Sequence, residues 1–142
     1  MNYINQARIE SEKSACAQKH GVIIVKNGVI IASGHNKKEP SRKKLMLWYG
    51  PKRKDCCIHA EYDALYALIT GNRHTFRDIA IRRKKYDMYV ARNTLENSRP
   101  CKDCLELMKW FGIYRVIYTC KNGYVSEKVN EMVTSHISSS RK

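Results

Sequence analysis

The chain reads as an α/β domain in layers, with one central sheet and helices packed on its faces. Stretches with helical apolar spacing alternate with short β-type runs, in the order helix, strand, strand, helix, strand, helix, strand. An Asn27-Gly28 pair between the first two β-type runs marks a tight hairpin. A length of 142 residues suits one domain. That domain is expected over residues 1–137, with a frayed tail from Ser138 to Lys142.

Asn2 to Ala17 reads as a helix, with Ile4, Ala7, Ile9 and Ala15 roughly on one side. Val22 to Lys26 and Val29 to Ser33 are the two strands of the hairpin. Asn27 and Gly28 suit its turn because both tolerate positive φ. His35 to Asp55 is long, polar and basic, and Pro40 and Pro51 make it a poor helix. A loop of this length is uncommon and often functional. Ile58 to Thr70 reads as a helix whose apolar face is Ala60, Ala64, Leu65, Ala67 and Leu68, with Gly71 as its stop. Asp87 to Arg92 is a strand, Cys101 to Phe111 a helix ended by Gly112, and Arg115 to Thr119 another strand. Asn122-Gly123 gives a second hairpin signal, with Tyr124 to Val125 as a short return strand. A last helix is expected over Glu127 to His136.

Lys and Arg number 27 against 13 Asp and Glu, a formal net charge of +14. Such an excess attracts polyanions or phosphate-bearing small molecules, or simply keeps a Lys-rich surface soluble; net charge does not decide between them. No apolar run is long enough to span a membrane. Met1 to Lys13 carries Arg8, Glu10, Glu12 and Lys13 with no apolar signal region, so the chain is expected to be intracellular, cytoplasmic or nuclear. In a reducing compartment, cysteines are buried, metal-bound or catalytic more often than paired. Cys16, Cys56, Cys57 and Cys120 are expected to be small buried or partly exposed side chains.

Two short motifs carry chemistry, each at a helix start: His59-Ala60-Glu61 and Pro100-Cys101-Lys102-Asp103-Cys104. A catalytic zinc takes three protein ligands and leaves a fourth position for water. His59, Cys101 and Cys104 would supply one nitrogen and two thiolates. Cysteines three apart in a first helical turn lie on one side, and the positive helix N-terminus favours thiolates. Water on such a metal gives hydroxide near neutral pH. Glu61, two residues after His59, can lean toward that water without ligating the metal and shuttle its proton to a ring nitrogen and a leaving amine. His-x-Glu with Pro-Cys-x-x-Cys is the pattern of the zinc deaminases. Either half alone carries little; a lone Cys-x-x-Cys is also a structural half-site or a redox pair.

With these motifs the chain resembles the cytidine and deoxycytidylate deaminase superfamily, which also holds the tRNA adenosine deaminases and polynucleotide cytidine deaminases. The resemblance runs from about the first hairpin to the strand after the second motif. It implies a three-layer α-β-α fold, a five-stranded mixed sheet with the two motif helices on one face, and one catalytic zinc per subunit. It also implies His59, Cys101 and Cys104 as ligands and Glu61 as proton shuttle. Gly34-His35-Asn36 is similar to the family's Gly-aromatic-Asn element, which places Asn36 on the substrate sugar or base. Ala60, inside the first motif, is likewise a substrate-side residue. Arg99 departs from the Ser or Glu that often precedes Pro-Cys; it meets a phosphate or is an ordinary surface arginine. Nucleic-acid editors and deoxycytidylate deaminases run their last two strands parallel, whereas the free-cytidine enzymes make a hairpin there. Asn122-Gly123 leans toward the hairpin. A homo-oligomer is expected by the same analogy.

The substrate expected first is a free cytosine nucleotide such as dCMP or CMP, hydrolysed to uracil with release of ammonia. The alternative is a cytosine in RNA or single-stranded DNA, tracked by a basic groove and stacked on Trp48, Tyr49, Trp110 or Phe111. Lys43, Lys44, Arg53 and Lys54 in the long loop, with Arg82 to Lys85 as a second cluster, would then contact the backbone. A third reading is a non-catalytic nucleic-acid-binding module with structural zinc, which has no use for Glu61. Neutralising Lys43, Lys44, Arg53 and Lys54 together is expected to flatten the salt dependence of nucleic-acid binding, by about 0.7 in log–log slope for each phosphate that is no longer neutralised. An unchanged slope would remove the loop as a docking surface.

Overall fold

The computed structural model describes residues 2–37, 58–71, 86–94, 97–121 and 123–132. Asn27 and Gly28 take positive φ of 51° and 77°, the backbone that a two-residue hairpin turn needs. They join β1 (His20–Lys26) to β2 (Val29–His35). A bulge between Ile24 and Val25 interrupts the ladder near the turn. β3 (Tyr86–Arg92), β4 (Arg115–Cys120) and β5 (Gly123–Lys128) complete a five-stranded sheet in the order β2-β1-β3-β4-β5. β1 is antiparallel to β2 and β3, β3 is parallel to β4, and β4 is antiparallel to β5. The sheet is therefore mixed.

Alternation along β1 splits the core into two. Val22 and Ile24 face one way, into a cluster with Ala64, Leu65 and Leu68 of α2 (Ala60–Gly71) and Leu105 and Met108 of α3 (Lys102–Phe111). Ile23 and Val25 face the other way, toward Ala7 of α1 (Tyr3–Ser11). The result is α1, sheet, then α2 and α3: three layers with the two motif helices on one face. Glycines set the closest approaches. A Cβ on Gly21 would stand 2.1 Å from the Ala7 carbonyl oxygen of α1, and one on Gly34 would stand 2.4 Å from the Ala64 nitrogen of α2.

The helix ends follow local chemistry. The Asn2 side chain caps α1 by accepting from the Asn5 amide. Gly112 ends α3 in the left-handed region at φ 83°. Three expectations need correction. α1 stops at Ser11 instead of Ala17: the Ser14 hydroxyl accepts from the Cys16 amide and donates to the Asn36 carbonyl, which holds this stretch as a turn against the end of β2. The buried side of α1 is Ala7, Glu10 and Ser11, and Ile9 is exposed. The helix expected over Glu127 to His136 is strand through Lys128 and then a short 3-10 turn, Val129–Glu131. Pairing with β4 overrides helical spacing there, and Val129 and Met132 are buried in the larger core. Residues 133–142, with the expected tail, lie outside the described residues. Gly71, the expected stop, is the last residue of α2.

Gly34→Ala is expected to lower stability by about 1–3 kcal/mol, because the new methyl meets helix backbone, which cannot rotate away. A urea unfolding midpoint shifted down at constant slope checks it.

Candidate active site

Three chain reversals meet at one end of the sheet. His20 at the start of β1 pairs with Arg92 at the end of β3, and Gly21 pairs with His35 at the end of β2. α2 and α3 begin after β2 and β3, so both present their N-termini at this end. The His59 carbonyl accepts the Asp63 amide and the Cys101 carbonyl accepts the Leu105 amide, so each motif residue stands at the threshold of its helix. Cys104 follows in the first turn of α3.

The geometry brings these residues together. His59 Nδ1 lies 3.1 Å from Cys104 Sγ and 3.6 Å from Cys101 Sγ. All three donor atoms lie within 4.8 Å of one another, and among the described residues they are the group able to hold a metal ion. Zinc ligands at tetrahedral angles stand about 3.5 Å apart, so the spacing suits zinc. One nitrogen and two sulfurs also form a donor set of the catalytic kind, with a coordination position left over. Cys56 and Cys57 lie outside the described residues.

Charge is confined here. Cys104 is wholly buried, and burial pushes its thiol up. Cys101 is held down to about 4, first by a hydrogen bond from that thiol and then, against its own burial, by the neighbouring His59. A dication is what lets both sulfurs give up their protons. The Glu61 carboxyl is buried beside them within hydrogen-bonding reach of Cys104. Burial raises its pKa, partly offset by His59. That is the direction a proton carrier needs.

The other expected site residues are placed as follows. Ala60 is the buried first residue of α2. The Asn36 side chain accepts from the His20 amide at 2.9 Å and donates to the Gln18 carbonyl at 2.7 Å, which ties the end of β2 to the start of β1. Arg99 turns toward β5: its Nε donates to Glu127 at 3.2 Å, and the Tyr118 hydroxyl donates to the same oxygen. Phe111 is core, whereas Trp110 is exposed at the far end of α3, about 14 Å along the helix from Cys101. Lys43, Lys44, Arg53 and Lys54, the rest of the basic loop with Trp48 and Tyr49, and Arg82 to Lys85 lie outside the described residues.

Three residues that sequence reasoning passed over support the site. Ser98 is buried; its hydroxyl donates to the Val90 carbonyl and accepts the Thr119 amide, both at 2.9 Å. It pins the segment before Pro100 across β3 and β4. His20 stands close enough to His59 to feel its charge, and burial holds its imidazole down to about 4, so it is neutral. Asp63 anchors the end of β2 to α2. No sequence signal marks Ser98 or His20. Asp63, in the turn after Glu61, reads simply as a first-turn acid.

The family model for the cytidine and deoxycytidylate deaminase zinc-binding region matches residues 1–120. No curated protein sequence matches the chain. A cytidine deaminase from Burkholderia pseudomallei is 20% identical, with a TM-score of 0.65 over 96% of this chain and 100% of that one. A dCMP deaminase from the cyanophage S-TIM5 is 24% identical, with a TM-score of 0.56 over 82% of this chain and 78% of that one; a further structure of it contains dCMP and dUMP. A cytidine deaminase from Mycobacterium leprae is 17% identical, with a TM-score of 0.56 over 89% and 93% of the two chains. These likenesses show a shared fold. No helix among the described residues is long and apolar enough to cross a membrane.

Cys101→Ser and Cys104→Ser are each expected to bring zinc content well below one equivalent, because a hydroxyl does not ionise to replace a thiolate. Elemental analysis of the purified variants checks this, and full occupancy in either would remove that residue from the ligand set.

Proposed function

The chain belongs to the cytidine and deoxycytidylate deaminase zinc-binding family, and on that premise we propose that it hydrolyses the exocyclic amine of a cytosine in a free nucleotide such as dCMP or CMP. The observation that carries this reading is the convergence of His59, Cys101 and Cys104 with the buried carboxyl of Glu61. A structural zinc site has no use for a proton-accepting carboxyl at that place.

In this reading His59, Cys101 and Cys104 hold zinc, which when bound supplies Lewis acidity that makes water a nucleophile near neutral pH. Glu61 takes one proton from the attacking water and delivers it to the ring nitrogen N3; it then takes the second from the hydroxyl added at C4 and gives it to the departing amine. Cytosine and water become uracil and ammonia, and Glu61 ends as it began. Burial of Glu61 suits each half of the cycle, because raising its pKa makes the carboxylate a better proton acceptor than one in water. Ala60 and Asn36 line the substrate side. Arg99 reaches a phosphate only by exchanging Glu127 for it. The homo-oligomer belongs to the same proposal.

The antiparallel β4–β5 hairpin supports a free substrate over a polynucleotide, since by family resemblance the nucleic-acid editors run these strands parallel. The cyanophage fold relative seen with dCMP and dUMP holds a pair that differs only in the replaced amine. By the same resemblance the deoxycytidylate deaminases also run these strands parallel, so the hairpin favours unphosphorylated cytidine over dCMP. Parallel assays on dCMP, CMP, cytidine and a cytosine-bearing single-stranded oligonucleotide separate these substrates. Turnover of the oligonucleotide alone would overturn the free-substrate reading. Glu61→Ala is expected to keep zinc and lose about 10²–10⁴-fold in kcat; near-normal turnover would remove Glu61 from the chemistry.

A further inference from the structure

The three residues that leave β2, His35 to Lys37, are held from several sides. The Asn36 amide and side chain bind the start of β1. The Asn36 carbonyl accepts from Ser14, and the His35 ring is bonded to the nearly buried Glu10 of α1 at 2.9 Å. Lys37 exchanges two backbone hydrogen bonds with Ile58, at 3.1 and 3.0 Å, immediately before His59. The segment therefore lies alongside the entry to α2.

One side chain of α2 makes two of the polar contacts with this segment. Asp63 is buried one turn after His59 and two residues after Glu61. Its two carboxylate oxygens take different partners: Oδ1 accepts from Lys37 Nζ at 2.9 Å, and Oδ2 from the His35 amide at 3.2 Å. The two bonds fall on either side of Asn36. Gly34 lets the helix press onto the strand just upstream, and apolar packing there sets distance but not direction. Two charge-assisted hydrogen bonds from one rigid carboxylate do set direction. Burying a carboxylate is unfavourable unless it is paired and hydrogen-bonded, so a site that wanted only adhesion between helix and strand would be served as well by an apolar side chain.

We propose that Asp63 is a positioning residue: it fixes the His35–Lys37 segment, and Asn36 with it, in register with His59 and Glu61 at the head of α2. The kinetic side of this inference rests on the deaminase reading, in which Asn36 faces the substrate; the structural side does not. Asp63 acts through Asn36, by holding the residues on either side of it.

The test compares Asp63→Ala, Asp63→Asn and Lys37→Met with wild type, each zinc-loaded, by amide hydrogen exchange and by steady-state kinetics on whichever substrate wild type turns over. Asp63→Ala is expected to speed exchange of the His35 and Asn36 amides about tenfold and to raise KM about tenfold while kcat and zinc content change little, since a small misplacement of a positioning group weakens substrate alignment. Asp63→Asn, which keeps an oxygen for the His35 amide, is expected to recover much of both effects. Lower thermal stability with unchanged KM and unchanged local exchange would make Asp63 a structural ion pair only and overturn the proposal. If Asp63→Ala fails to fold, Asp63→Asn and Lys37→Met decide by the same two readouts. If wild type turns over none of the cytosine substrates, the deaminase reading fails, and the exchange of His35 and Asn36 still decides whether Asp63 holds the segment.

Discussion

Two thiols, an imidazole and a carboxyl stand within a few ångströms of one another, largely out of water. Such a group cannot hold the charges it would carry in solution unless something shares the space with them. The facing thiol holds Cys101 down, while burial pushes Cys104 up. A dication resolves the same conflict by taking both thiolates, and the carboxyl of Glu61 is then left next to positive charge while still poorly solvated. The surrounding architecture can be understood as what holds four mutually demanding groups in one place. Two helix N-termini aim partial positive charge at the sulfurs, and Ser98 closes the polar backbone of the segment that delivers them.

That convergence depends on where backbone can approach backbone. The helices reach the sheet closely at Gly21 and Gly34, where any side chain would collide with main-chain atoms. Each approach lies at the same end of the sheet as the metal-ligating cluster. Precision at the site is thus inherited from contacts that carry no chemistry of their own. The apolar core beneath, with Leu65, Leu68, Met88, Met108 and Val116 fully or nearly fully buried, gives the helices a firm bed, because close-packed interiors transmit displacement instead of absorbing it.

Much of this was legible in the sequence where the signal is local. Asn27-Gly28 determines its own turn, and Gly112 its own helix end, because each needs only its own backbone freedom. The two motifs announced the cluster because metal chemistry restricts which side chains can take part. Legibility failed where distant parts of the chain decide. α1 ends early because Ser14 is engaged by Asn36, and nothing near Ser14 in sequence says so. Glu127 and Lys128 have helical neighbours in sequence but strand partners in space. Arg99, read as an arginine facing a phosphate or water, leans instead on Glu127, a residue 28 positions away. Asp63 and Ser98 were invisible for the same reason: their role lies in what they touch.

The reciprocal pairing of Lys37 with Ile58 has a consequence on the evolutionary scale. It sets Asn36 close to the entry of α2, so the separation of Asn36 from His59 does not depend on the length of chain between them. Loop-closure entropy rises by only about 0.6 kcal/mol for each doubling of length. Changes in the length of that stretch are therefore cheap for the fold. A lineage can rewrite that stretch while the reacting groups stay where they are.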